Sequence, residues 1–300
     1  MISWRYHLVS IVAVIVALAL GVLAGSTVVG DRFVKELKSK TDQAEQRAAG
    51  YRAEAGRLQT FMGDAIPWLT ADRLAGRQVV LVTQDPVDGK LVNQAVESLR
   101  ASGAQVVGQV TATTRIAKQD AQPDLATILN LPGADAVALM HELAVTVADR
   151  LAFGNPSRGD GHDVFDELKG FVRIELSGVG LPDVGGSGTA IVVLAGGNGQ
   201  PALDPQAFLV PMVERLADVQ SVTTGAGEGL SSTWAFVAAV RGDGAIRDGT
   251  IVTVDDLDEP YGGAALVMGL DMLSQGTGGD YGVSGNDGFI PRFVAPSPSP

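Results

Sequence analysis

The sequence predicts an α/β protein: an N-terminal transmembrane helix, a coiled-coil stalk, then a Rossmann-like, doubly wound, mostly parallel sheet domain. Three patterns carry that prediction. An uncharged apolar run fills 8–30, and apolar or small residues recur three and four apart through 31–66. Across 77–282, short, wholly apolar runs alternate with amphipathic segments, the signature of a parallel sheet covered on both faces.

From Leu8 to Leu23 the first run is almost entirely Leu, Val, Ile and Ala. Crossing a bilayer takes about 20 apolar residues, and this run supplies them. Trp4, Arg5 and Tyr6 precede it as an interfacial belt, and Arg32, Lys35, Lys38 and Lys40 follow. The competing reading is a cleaved signal peptide leaving through Ala24-Gly25-Ser26, but such peptides carry an apolar region of about 7–15 residues, shorter than this one. Lys/Arg counting puts more positive charge after the run than before it, and taken alone keeps the following domain inside.

The stalk seam reads Val34, Leu37, Thr41, Ala44, Ala48, Tyr51, Ala55, Leu58, Met62 and Ala65, a heptad pattern expected to pair two copies as a homodimer. Glu36 and Lys40 make a favourable i,i+4 pair, as do Lys38 and Asp42. The many Ala positions and Gly50, Gly56 and Gly63 weaken such a coil, and a helix folded back on its own domain is the alternative. Pro67 is expected to end the stalk near Trp68.

Gln78–Thr83 is a continuous apolar strand, followed by Asp85 as N-cap and Pro86 at the first position of a helix whose inner face is Val87, Leu91, Ala95 and Leu99. Gly103 stops that helix, and Gln105–Thr111 is the next strand. A second series begins with a strand over Ala190–Ala195 and a helix opened by Asp204-Pro205. Val219–Thr224, Thr250–Val254, Ser232–Val240 and Pro260–Leu273 then read as strand, strand, helix and helix. Asp124–Leu129 and Ala134–Phe153 look helical, 154–161 is a loop, Gly178–Gly188 a Gly-rich turn region, and 283–300 a flexible Pro/Ser tail.

A formal charge of −12 and a pI near 4.6 argue against a nucleic-acid partner, because phosphate binding needs clustered Lys and Arg. The absence of cysteine removes disulfides, thiolate catalysis and Cys-type zinc sites. Gly196-Gly197-Asn198-Gly199 follows a strand, yet the next helix opens only at Asp204, so these glycines do not set a phosphate on its N-terminus. His141-Glu142 lacks a second histidine at Val145 and is no zinc-protease motif, while His162-Asp163 reads as solvated surface.

Asp255, Asp256, Asp258 and Glu259 form an acidic cluster at a strand's C-terminal end, where open α/β sheets bind ligands, but the reading the sequence favours is that Asp258 or Glu259 caps the Pro260 helix. Met268 and Met272, one turn apart, are candidate Cu(I) thioethers, against the reading that they fill a core face. These five, Met268, Met272, Asp255, Asp256 and Asp258, are the weak metal candidates. No Ser/His/Asp arrangement has recognisable local context, so no catalytic or cofactor-binding residue is assigned.

The opening Met1-Ile2-Ser3-Trp4-Arg5-Tyr6-His7-Leu8-Val9-Ser10, the segment Leu20–Ser26, the late Val252–Gly262 and the Gly279-Asp280-Tyr281-Gly282 ending together resemble the actinobacterial MctB-like family, named for a mycobacterial copper-transport protein. The resemblance implies an envelope protein with residues 1–7 cytoplasmic and the domain extracytoplasmic, opposite to the charge count. It implies copper efflux or homeostasis without enzymatic activity, with copper the only metal suggested, and family descriptions include an outer-membrane pore. Some relatives are linked to cell separation, which makes a membrane-anchored dimeric scaffold for a cytosolic or envelope partner the alternative function. A degenerate nucleotide-binding enzyme is the third. A pore sits poorly with short apolar strands in βαβ context and few aromatics, because outer-membrane strands alternate over about 10 residues between aromatic girdles.

Overall fold

A computed structural model describes residues 4–155, 162–197 and 199–292. The start of the Met1–Ser10 motif, much of the 154–161 loop, Asn198 and the last eight tail positions lie outside the described residues. The chain divides into two compact units, Met1–Phe61 and Met62–Pro300.

The first unit is helical. Helix α1 runs Trp4–Thr70 without a break, so the apolar run and the heptad segment are one element. Its Tyr6–Leu23 stretch has a mean hydropathy of 2.5 and is long and apolar enough to cross a membrane. Of the seam residues, Leu37, Thr41, Ala44, Tyr51, Ala55 and Leu58 are exposed, and Ala48 and Met62 are half-buried. The side chain of Val34 lies outside those described. Glu36 and Lys40 pair at 2.8 Å as their spacing predicts. The helix runs on past Pro67 only to Thr70, close to the expected end near Trp68, and in this last turn the Pro67 carbonyl still accepts from Ala71 N–H at 3.0 Å.

The second unit is a seven-stranded sheet in the order β3-β2-β1-β4-β5-β6-β7. Its strands are β1 (Gln78–Gln84), β2 (Gln105–Ala112), β3 (Val172–Leu176), β4 (Ala190–Ala195), β5 (Thr223–Glu228), β6 (Val252–Val254) and β7 (Gly279–Tyr281). Every pairing is parallel except β2 with β3. The helices are α2 (Gly89–Ala101), α3 (Gln122–Ile128), α4 (Ala136–Phe153), α5 (Val164–Glu167), α6 (Pro205–Ala217), α7 (Phe236–Gly242) and α8 (Pro260–Leu273).

The apolar strands are explained by their two covered faces. Val80, Val82, Ile191 and Val193 join one core with α4, α6 and α7, while Val79, Leu81, Val192 and Leu194 join another with α2 and α8. Each strand therefore buries both sets of its alternating side chains.

Three sequence expectations are corrected. Asp85-Pro86 does not open α2; Asp85 binds Arg173 across the sheet, and Asp88, accepting from Lys90 N–H at 2.8 Å, is the cap. The strand placed at Val219–Thr224 lies at Thr223–Glu228, where Gly225 and Gly227 hide the β signal because Leu266 and Leu257 need the space of their missing side chains. Helix α7 starts four residues late, at Phe236, because Ser232 and Trp234 are held in the preceding turn by Glu228 and Gly199. The two edges, β3 and β7, carry no strand pattern that the sequence reading assigns. Asp204-Pro205 and Pro260–Leu273 fall where the sequence puts them.

Candidate functional site

The parallel sheet reverses its winding between β1 and β4, and the crevice beyond their C-terminal ends is where such folds bind small molecules. Here that crevice is plugged. The Trp234 indole lies so close to Gly197 that a methyl group there would come within 2.9 Å of its ring, and Trp234 Nε1–H donates to Gly199 O at 3.0 Å. Asp88 N–H donates to Gly196 O at 2.9 Å and closes the β1 side. The remaining space, lined by Leu91, Gly196, Gly197, Ser232 and Asp258 among others, is about 10 Å³, room for about one water. Gln84, fully buried at the end of β1, donates to Leu203 O at 2.8 Å while its Oε1 meets no partner among the described residues.

The acidic cluster follows β6, and the structure separates its members, of which Asp258 reaches the space just described. Asp255 accepts from Arg241 Nη1 at 3.0 Å, from Ser284 N–H at 2.9 Å and from the Ser284 hydroxyl. Burial alone would raise its pKa, but the Ser284 donors and the Arg241 charge outweigh it and hold the carboxyl below its ordinary range. Arg241 is itself fully engaged, donating to Thr253 Oγ1 at 2.7 Å, Ser284 Oγ at 2.9 Å and Tyr281 O at 2.7 Å. Asp258 accepts from Leu230 N–H at 2.6 Å, pinning the turn after β5. Glu259 occupies the cap position of α8 with no side-chain capping bond, so neither Asp258 nor Glu259 caps that helix.

Asp256 differs from its neighbours. It is 0% exposed, and neither of its carboxyl oxygens has a hydrogen-bond partner among the described residues. Two glycines wall it in: a Cβ on Gly262 would lie 2.8 Å from its Oδ1, and one on Gly282 would lie 3.1 Å from its Cγ. Burial, reinforced by Asp255, Asp258 and Glu259, pushes its pKa up to about 7. Chemically it is a carboxylic acid that keeps its proton well above the ordinary carboxylate range. The sequence marks it only as the second residue of an Asp-Asp pair.

The other candidates do not converge. Met268 is buried on α8 and Met272 half-buried a turn later. His141 is exposed, and His162 pairs with Glu167 at the surface. Asp163, read from sequence as solvated, is instead 4% exposed and clamped by Arg150, with Nη2 at 2.6 Å and Nε at 2.9 Å from its oxygens. Arg150 also donates to Val184 O at 2.8 Å and Leu181 O at 2.9 Å. Among the described residues no three His, Cys, Asp or Glu side chains are grouped to hold a metal.

A family model described as "Copper transport outer membrane protein, MctB" matches residues 1–291. The chain is 26% identical over 310 residues to a protein named copper transporter MctB of Mycobacterium tuberculosis, covering 94% of this chain and 96% of that one. Its counterpart of the same name from Mycobacterium leprae is 28% identical over 311 residues, with the same coverage.

Proposed function

The chain belongs to the MctB family, and on that premise we propose that it serves copper homeostasis at the cell envelope, as a non-enzymatic protein held in the plasma membrane by α1 with its α/β unit outside. The observation that carries this reading is the family match, which runs through the apolar helix and the sheet alike. An outer-membrane pore is not part of it. A spanning barrel needs strands with a lipid-facing side, whereas β1 and β4 are buried on both faces beneath helices. The chain lacks thiols, and its described side chains offer no grouped ligand set, so the role we propose is exerted through a partner rather than by a copper cage of its own.

Deleting the gene is expected to raise cell-associated copper and copper sensitivity, and the full chain to restore both; unchanged copper content in the deletion strain removes the copper reading. The chain has no cysteine of its own, so Ala101→Cys, at the exposed end of α2, provides a single label for sidedness. Labelling of intact cells by an impermeant maleimide is expected, and labelling only after lysis overturns the orientation.

A second reading, a dimeric scaffold that recruits a cell-separation partner, draws support from the solvent-facing heptad seam, where Leu37, Tyr51 and Leu58 are 56%, 71% and 58% exposed. A pull-down comparing the full chain with one starting at Asp31 tests it. Identical proteins in both, or none in either, would remove membrane-side recruitment.

A further inference from the structure

Strand β3 ends one side of the sheet, and its register determines which backbone groups face outward. Thr113 N–H donates to Phe171 O at 2.8 Å and Ser177 N–H to Val107 O at 2.9 Å, both in the antiparallel register that opposes Arg173 to Thr111 and Glu175 to Gln109. Bonded pairs alternate along such a ladder, so Arg173 and Glu175 turn their backbone groups toward β2 while Val172, Ile174 and Leu176 turn theirs away. Val172 N–H is taken by Leu168 O at 3.0 Å. Among the described residues, the N–H and C=O of Ile174 and Leu176 have no partner. Beside this edge runs a groove of about 580 Å³, lined by Phe165, Lys169, Ile174, Leu176 and Leu181 among others.

We infer that this edge pairs, antiparallel and about a twofold axis through Ile174, with the same edge of a second copy of the chain. The five residues Val-Arg-Ile-Glu-Leu are self-complementary in that register. Ile174 meets its own copy, and the outward N–H of Ile174 and Leu176 find carbonyls across the axis. Arg173 stands opposite Glu175 of the partner subunit at a non-hydrogen-bonded site, where side chains approach most closely, with Cα atoms about 4.5 Å apart. Sliding the copies by two residues either way puts Glu175 against the partner's Glu175, or Arg173 against the partner's Arg173. Charge therefore selects one register and disfavours foreign strands, the usual protection of an exposed edge. On the opposite face Leu176, 41% exposed in the single chain, comes to lie beside Val172 of the partner subunit. The inference needs neither copper nor pairing of the stalk.

The test uses the full chain in detergent micelles. Because the chain has no cysteine, Ile174→Cys introduces a single thiol, placed about 5.5 Å by Cα from its copy across the axis. A short thiol-specific crosslinker is expected to join Ile174→Cys at least tenfold faster than Lys118→Cys, an exposed control elsewhere, and faster than Val172→Cys, whose partner position is Leu176. Adding Glu175→Arg is expected to cut the Ile174→Cys rate at least tenfold, and adding Arg173→Glu as well to restore it. No excess of Ile174→Cys over both controls, or indifference to Glu175→Arg, overturns the inference. Arg173→Glu also breaks the contact with Asp85, so if the combined variant does not fold, the two controls and Glu175→Arg decide alone.

Discussion

Asp163 and Asp256 are both withdrawn from water, at 4% and 0% exposure, yet they occupy opposite electrostatic states. At Asp163 burial works to raise the pKa, but Arg150 and the Phe165 N–H at 3.1 Å outweigh it and the carboxyl stays ionised. At Asp256 burial acts with no hydrogen-bond donor among the described residues, three neighbouring acidic groups add to it, and the proton is retained up to about pH 7. The difference teaches that depth alone does not set the charge of a buried acid; the donors supplied with it do. It also separates two regions by purpose. The Arg150 clamp ties α4, α5 and the Leu181–Val184 turn into one fixed assembly, whereas the turn after β6 stores an uncompensated group.

The comparison breaks most severely at the clamp. Arg150→Leu leaves Asp163 buried without its partner and is expected to cost about 3–5 kcal/mol in urea unfolding. Arg150→Leu with Asp163→Leu is expected to recover most of that loss, because two apolar side chains leave no charge behind. A double variant as unstable as the single one would mean that the carbonyl contacts to Leu181 and Val184 matter more than the ion pair.

At Asp256 the effect depends on pH and has the opposite sign. Between about pH 4, where an unfolded aspartate titrates, and about pH 7, where the folded one does, the native state holds the extra proton, so stability falls as pH rises through that window. Asp256→Asn keeps the shape of the neutral acid and removes that dependence. Its melting temperature is expected to exceed that of the parent at pH 8 and to match it near pH 4, with about 2–4 °C for each kcal/mol relieved. Equal differences at the two pH values would show that Asp256 titrates normally. For Asp163 the lowered pKa gives the reverse slope, stability present above about pH 4 and lost as pH falls through the depressed value. The smallest effect is expected from Asp258→Ala, which loses the bond to Leu230 N–H for about 1 kcal/mol and narrows the pH window of Asp256 by removing one like charge. A melt at pH 5 and 8 reads both consequences.

What the sequence discloses is what local pattern encodes. The apolar run at Tyr6–Leu23, the two-sided strands β1 and β4, and the α6 start at Asp204-Pro205 all follow from composition and spacing over a few residues. The rest is decided by contacts distant in sequence. Asp85 is a better cap on paper than Asp88 until Arg173, 88 residues on, claims its carboxylate. Asp163 reads as surface until Arg150 arrives from the end of α4. Strand β5 is written in glycines because Leu257 and Leu266 press against it, and β3 carries charges because it is an edge. The acidic cluster is visible as a group, but only the fold distinguishes Asp255, bonded to the Arg241 guanidinium, from Asp256, whose carboxyl oxygens find no hydrogen-bond partner among the described residues.

The plugged crevice gives the protein an internal optical reporter. Of its three tryptophans, Trp4 and Trp68 are 77% and 88% exposed in the single chain and Trp234 only 6%. With Trp4→Phe and Trp68→Phe, all indole emission comes from the ring lodged against Gly197. A blue-shifted spectrum that resists iodide is the expected signature of a shut crevice, and any small molecule entering between β1 and β4 must announce itself by displacing that chromophore toward water and the red.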